Sequence, residues 1–298
     1  MTGTNEKKEK VENTSSVKKS SLWLDAWRRL KKNKSAMVGL GIVILLFLTA
    51  IFADFIAPYH YADMDLSRRL QGISANNWFG TDEYGRDIFS RIVYGSRISL
   101  LVGFITITMS VFAGGLLGAV AGYAGKWMDH VIMRLMDILL AVPNILLAIV
   151  IVATLEPNLR NTMIAISVGS IPAYARIFRA SVLSLRDQEF IEAARASGAG
   201  DGRIIFRHIV PNCLAPIIVQ ATLGVAGAIL AAAALSFIGL GLQPPSPEWG
   251  AMLSSGRQFL RDTPHLTTFP GLAIMIVILG LNLFGDGLRD ALDPKLKN

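Results

Sequence analysis

The chain has 298 residues, 52% hydrophobic and only 17% charged, a balance too apolar for an ordinary soluble domain of that length. Its net charge of +7 does not point to nucleic acid, because about a third of the Lys and Arg precede Ser35 and flank the first apolar run, as the positive-inside bias requires. The single cysteine, Cys213, excludes an intrachain disulfide and any multi-cysteine metal centre.

Residues 1 to 20 are Lys, Glu, Ser, Thr and Asn with almost no apolar content, a composition that cannot repay ordering, so disorder is expected there. Leu22, Trp23, Ala26, Trp27 and Leu30 then recur at helical spacing against Asp25, Arg28, Arg29, Lys31 and Lys32. That pattern predicts an amphipathic N-terminal helix lying among anionic lipid headgroups, with residues 1 to 35 forming a cytoplasmic tail and helix. No cleavable leader is expected, since the first apolar run, 36 to 57, is long enough to span and to remain as an anchor.

Six apolar spans are predicted, at about 36 to 57, 98 to 125, 135 to 155, 161 to 183, 213 to 240 and 269 to 288, which makes the chain an all-α, multi-pass membrane protein. An even count puts both termini on one side. The Lys-rich start, the segment from Arg186 to Arg207 and the tail 289 to 298 with Arg289, Lys295 and Lys297 then share the cytoplasmic face.

Pro58 closes the first span and opens an external connection, 58 to 97. In it, Gly80 and Gly85 suit tight turns, Asp82, Arg86 and Asp87 suit a local charge network, and Ile88, Phe89, Ile92 and Val93 share the face of a short external helix. This region reads either as a cap on the external span ends or as a contact for a delivery protein. The core, 98 to 288, opens with Gly114, Gly118 and Gly122, a stripe that lets a neighbouring helix approach closely in lipid. Gly224, Gly227, Ala228 and Ala231, beyond Pro216, read the same way in the fifth span. Pro143 predicts a kink in the third span whose freed carbonyl lines a path. Asn144 and Asn282 are the more central polar side chains, placed either to bond between helices or to face that path. Between the last two spans, Gln243 to Gly250 is a proline-rich external turn carrying Glu248 and Trp249, either a lid or a partner contact, followed by a short polar helix toward Arg261.

Several chemistries are missing. The only Gly-Lys pair, Gly125-Lys126, has Val120 and Trp127 where a phosphate-binding loop needs Gly and a hydroxyl, so this chain is not expected to hydrolyse ATP. Gly198, Gly200 and Gly202 imitate a dinucleotide fingerprint, but Arg203 takes its last glycine position and no strand precedes it. His60, His130, His208 and His265 fall on different loops without metal-ligand spacing, so neither catalytic nor metal residues are assigned. Ion-coupled carriers place titratable groups at mid-membrane. Here Asp54, Arg134, Asp137, Glu156, Arg176, Arg179 and Asp286 are expected at span ends, which argues against a secondary carrier and places the energy source elsewhere.

The segment 187 to 207 is polar and helix-forming between two long apolar spans, the character of a docking surface. Gln188 to Ser197 predicts a helix, Gly198 a left-handed cap, and Asp201 the start of a second helix. Small Ala193 and Ala194 allow close approach, and Glu192 can bond basic groups of a partner or Arg195. Glu192, Ala193, Ala194, Gly198 and Pro211 fall in register with the coupling-loop pattern of ABC importer permeases (Glu-Ala-Ala, three residues, Gly, nine residues, Ile, any residue, Leu, Pro). His208 and Val210 depart from it at the far end.

Further segments carry the resemblance across nearly the whole chain: Phe79 to Asp82 with Gly85-Arg86-Asp87 and Ser90-Arg91, Tyr94-Gly95 with Arg97 to Leu100, Pro211 to Pro216, Gln243 to Gly250, Thr268 to Gly271, and Gly285 to Pro294. The chain resembles permeases of the dipeptide, oligopeptide and nickel group of bacterial ABC importers. The resemblance implies a type I importer transmembrane domain in the bacterial cytoplasmic (inner) membrane, working with a homologous second permease, two ATP-binding subunits and an external peptide-binding protein. It implies no cofactor bound by this chain, with ATP and Mg2+ in the partner subunits, and transport of short peptides by alternating access. Longer peptides, glutathione and nickel chelates stay open as cargo. Glu189, Glu192, Ala193, Ala194, Arg195, Gly198 and Asp201 would meet the ATP-binding subunits, and the loop would transmit force without chemistry.

Overall fold

The computed structural model describes residues 22 to 243 and 245 to 293. The disorder expected for residues 1 to 20, the Leu22 and Trp23 side chains, Pro244, and the tail lysines lie outside what is described. Among the described residues the protein is helical, with one isolated antiparallel bridge between Thr81 and Asp87.

Helix α1 (Leu22–Leu30) is amphipathic as its pattern predicts. Ala26 and Leu30 are buried with Ala36 and Ala291, while Leu24 and Trp27 stay exposed and Lys31 sits 5.0 Å from the Trp27 ring centre. Asn33 ends that arm and starts α2 (Lys34–Ile51), its side chain accepting from Ala36 N–H at 3.1 Å. One further turn, α3 (Ala53–Ile56), precedes the connection. Helix α4 (Ile88–Ala124) is 37 residues long, so the short external helix expected before residue 98 is instead the first turns of the second span. Nothing between Ile88 and Arg97 breaks a helix, and Asp87 caps its start by accepting from Ser90 N–H and Oγ, each at 2.7 Å.

The third span is broken more sharply than a kink. Helices α5 (Lys126–Ala141) and α6 (Asn144–Leu155) meet at 88° across Val142 and Pro143. The Pro143 carbonyl accepts from Leu147 N–H at 3.1 Å and so starts α6. Helix α7 (Leu159–Leu185) carries Pro172 internally. Two short helices, α8 (Glu189–Ala196) and α9 (Asp201–Arg203), lead through a π-helical stretch, Ile204–Ile209, and a 3-10 turn, Val210–Cys213, into α10 (Leu214–Phe237). The span expected from 213 therefore belongs to one helical run from Asp201 to Phe237. Pro211, which lacks an N–H, falls at its irregular part. Helices α11 (Trp249–Gly256) and α12 (His265–Leu292, with Pro270 inside it) complete the chain.

Four helical runs are long and apolar enough to cross a membrane, and the bent α5–α6 pair makes a fifth. Helix α7 completes six passes: it has 27 residues, about 40 Å at 1.5 Å per residue, but is less apolar because it carries Arg160, Arg176 and Arg179. Small residues set the packing. A Cβ added to Gly118 would press on the Ala175 carbonyl oxygen, and one on Gly114 or Gly122 would lie 2.6 or 2.8 Å from the Ile171 carbonyl oxygen or Val182 Cβ, so the stripe seats α4 on α7. Gly39 of α2 meets the Phe284 backbone of α12 in the same way. In α10, Gly224 is closed by the Tyr174 hydroxyl, whereas a Cβ on Gly227 would meet nothing within 4 Å.

Candidate functional site: a helical arm seated on one end of the bundle

The arm from Arg186 to Ile209 joins the end of the bundle where α4 and α7 finish and α5 and α10 begin. Gln188 enters α8 in extended conformation, and Glu189 and Glu192 in the first turn suit the positive end of the helix dipole. Gly198 ends it at φ +81°. Its N–H donates to the Arg195 carbonyl at 2.9 Å and Ala199 N–H donates to the Ala194 carbonyl at 3.1 Å, the paired closure of a Schellman cap.

One face of the arm is fixed. Ile191, Ile204 and Ile209 are fully buried with Ala119 of α4, Phe178 and Val182 of α7, and Cys213 and Ile217. Each isoleucine removed from water contributes about 1.5–3 kcal/mol, enough to make the arm part of the bundle rather than a loose loop. Polar ties add direction. Tyr123 Oη donates to Asp201 Oδ1 at 2.6 Å, Arg195 lies 5.6 Å over the Tyr123 ring, and Arg186 donates to the Gly122 carbonyl at 3.2 Å. Arg195 is therefore turned to Tyr123, and no ion pair joins it to Glu192 among the described residues.

The opposite face is open. Glu189, Glu192, Ala193 and Ala196 are exposed, with Ala194 partly covered. Beside them stand Phe190 and Phe206, the latter 67% exposed, two aromatic side chains that received no role from the sequence. Their signal was available: both fall out of phase with the buried isoleucines in a segment that is otherwise polar. The arm thus has a buried isoleucine seam that ties it to α4, α7 and α10 and an open face of two aromatics, small residues and carboxylates. It carries no group arranged for bond-making.

The residues singled out at the other end lie inside. Asp82, Arg86, Asp87, Glu248 and Trp249 are all buried, so they build a cap and do not face outward. Asp82 accepts from Tyr84 N–H and Arg86 N–H at 2.9 Å and from Arg86 Nε at 2.6 Å. Arg91, missed at first, stands 3.6 Å from Asp82 and donates to the carbonyls of Tyr61, Pro245 and Ser246, tying three segments together. Asp87 is not in that ionic set. It caps α4 and takes the Asn77 amide at 2.9 Å. Glu248 caps α11 through Gly250 N–H and Ala251 N–H, and Trp249 Nε1 donates to the Ile92 carbonyl at 3.1 Å, with Gly95 leaving room for the ring. Pro143, Asn144 and Asn282 are exposed on the single chain and form no joint site. Asn144 lies beside Gly169 of α7, and neither asparagine bonds between helices among the described residues.

Two family models match the chain: the binding-protein-dependent transport system inner membrane component over residues 114–298, and the N-terminal TM domain of oligopeptide transport permease C over 21–72. The chain is 57% identical to the dipeptide transport system permease protein DppC of Alkalihalophilus pseudofirmus, over 93% of this chain and 91% of that protein. It is 48% identical to the di/tripeptide transport system permease protein DppC of Pseudomonas aeruginosa, over 91% and 92% of the two chains. Identity to the glutathione transport system permease protein GsiD of Escherichia coli is also 48%, over 92% and 91%. Among solved structures, an inward-facing MetNI methionine ABC transporter chain matches with TM-score 0.57 at 17% identity, covering 68% of this chain and 96% of that one, which speaks to the fold.

Proposed function

Because this chain belongs to the family of binding-protein-dependent transport system inner membrane components, we propose that it is the permease subunit of an ATP-driven importer that moves dipeptides across the bacterial cytoplasmic membrane. The observation that carries the cargo is the 57% identity to a dipeptide permease along 93% of the chain. Glutathione is the second reading, supported by a relative at 48% identity.

In this reading the termini and the arm face the cytoplasm. A homologous second permease completes the path, an external peptide-binding protein delivers cargo to the capped end, and two ATP-binding subunits hold ATP and Mg2+. The open face of α8 sits in a groove of one ATP-binding subunit, with Phe190 and Phe206 as anchors and Glu189, Glu192, Ala193 and Ala194 at the contact. When the ATP-binding subunits close, α8 moves. Its isoleucine seam and the Tyr123–Asp201 bond carry that motion into the ends of α4, α7 and α10, which rock between outward and inward openings. The chain itself carries out no chemistry.

Uptake of a labelled dipeptide, beside glutathione and nickel, in cells lacking only this gene and again after its return tests the proposal. Selective loss and rescue of dipeptide entry is the expected result. Unchanged dipeptide entry in a host without redundant peptide carriers would reassign the cargo.

A further inference from the structure

Arg176 of α7 and Asp137 of α5 form an ion pair at 2.6 Å, and each side chain is about half exposed on the single chain, 52% and 50%. Arg176 stands four residues past the middle of α7, about 6 Å along the helix axis; with α7 centred in the bilayer, that lies inside the roughly 15 Å half-thickness of the core. Charged groups at such depth face protein or water, not hydrocarbon.

The surrounding surface agrees. Ala173 and Ala180, three residues before and four after Arg176, are exposed on the same stripe of α7, so no large apolar side chain covers the pair there. Pro143 and Asn144 are exposed at the 88° break, and Asn144 lies against Gly169, two turns along α7 from Arg176. Large apolar side chains are exposed on α5 and α6 beside it, among them Leu135, Ile138 and Leu146, as Leu45 is on α2 and Phe112 on α4. On its α7 side the notch between α5, α6 and α7 thus presents small residues and a charge pair where a lipid-facing wall would carry large apolar side chains.

We propose, resting on the importer reading above, that Asp137 and Arg176 are specificity-determining residues that read the two charged ends of the transported peptide. The guanidinium takes the C-terminal carboxylate and Asp137 takes the N-terminal ammonium, while Ala173 and Ala180 leave room for the backbone. Only Arg176 Nη2 and Asp137 Oδ1 are engaged in the pair, so donors and an acceptor oxygen remain to start the exchange. Charge accounting favours a zwitterion. With the path empty the two side chains neutralise each other, and a bound zwitterion neutralises both, whereas a bare cation or anion would leave one of them uncompensated in a low dielectric. The chemical class read is a short peptide with both termini free.

The test uses the complete importer, with second permease, ATP-binding subunits and binding protein, in proteoliposomes. Cys213 is the sole cysteine and is buried, so Ala173→Cys and Ala180→Cys report access to a membrane-impermeant maleimide without removing it. Both are expected to label, and alanyl-alanine is expected to protect them. Adding Arg176→Gln raises the protecting concentration of alanyl-alanine about tenfold, the loss of one charge-assisted bond. Asp137→Asn, nearly isosteric, gives a similar shift in complexes that co-purify intact. N-acetyl-alanyl-alaninamide, which lacks both charges, shows no such shift. Failure of both cysteines to label, or protection unchanged in both charge variants, overturns the inference alone. A wild-type complex that hydrolyses ATP but imports no dipeptide overturns it together with the importer reading.

Discussion

The hydroxyl of Tyr123, in the last turn of α4, donates to the Asp201 carboxylate at 2.6 Å, and the same ring lies under the Arg195 guanidinium. One aromatic side chain therefore holds both halves of the arm, α8 through Arg195 and the start of the α10 run through Asp201. Tyr123→Phe keeps the ring and removes the bond. Such a bond contributes about 1 kcal/mol, roughly fivefold in an equilibrium between two positions of the arm. Peptide imported per ATP hydrolysed is expected to fall by about that factor while the ATPase rate itself changes less. Equal loss of import and hydrolysis would assign Tyr123 to packing alone.

Ile191 and Phe190 are neighbours with opposite duties. Ile191 is fully buried in the seam, so Ile191→Ala is expected to destabilise the complex by about 2–4 kcal/mol, read as a lower melting temperature in detergent. Phe190 is exposed, so Phe190→Ala is expected to leave the melting temperature of the permease nearly unchanged and to weaken co-purification of the ATP-binding subunit about tenfold. Glu192→Lys, on the same open face, should lower import and ATPase stimulation together. A melting loss in Phe190→Ala, with subunit binding intact, would reverse this assignment of faces.

The legible part of this molecule was whatever local chemistry dictates. Hydropathy located the passes, because a helix in lipid must satisfy its own backbone. Gly198 was legible as a cap because only a residue tolerating positive φ ends a helix that way. The Gly114, Gly118 and Gly122 stripe marked a close helix contact, although only the structure shows that α7 is the neighbour. Less legible were features that depend on several segments meeting. Arg91 stood in the sequence only as part of a motif, and its role as a tie needs the carbonyls of Tyr61, Pro245 and Ser246 that the fold brings to it. Pro143 announced a break but not its 88° angle, which depends on how α5 and α6 pack on α7.

Two glycines separate backbone freedom from space. At Gly198 a Cβ would meet nothing within 4 Å, but φ is +81°, so Gly198→Ala is expected to cost about 1–2 kcal/mol of helix-end strain and to loosen α8 locally. At Gly118 the backbone is ordinary helix, but a Cβ would press on the Ala175 carbonyl, and backbone cannot step aside as a flexible side chain does. Gly118→Val is therefore expected to separate α4 from α7 and to abolish recovery of folded protein from the membrane, while Gly198→Ala is recovered at near-normal yield. Comparable yields for the two would show that α4 and α7 tolerate a wider spacing than this packing implies.

Glu248 gives the protein a pH signature. Burial pushes its carboxyl above the usual range, opposed by the N–H groups of Gly250 and Ala251 and by the Ser236 hydroxyl. A carboxyl whose folded-state pKa is raised binds its proton more tightly folded than unfolded. Its contribution is then fully present below the unfolded value of about 4.3, and is lost as pH rises through the folded value. Exposed Asp65 works the other way: hydrogen bonds from Ser67 and Arg68 lower its pKa, so its contribution is lost as pH falls. The wild-type curve alone mixes such opposed slopes, and Glu248→Gln separates them, because it keeps one carbonyl acceptor for the α11 cap and removes the titration. From about pH 4.3 upward, the melting temperature of wild type minus that of Glu248→Gln is expected to fall and then level once Glu248 is ionised in the folded state. A difference that rises with pH instead would mean that the two N–H bonds outweigh burial and that this carboxylate is stabilised as an anion.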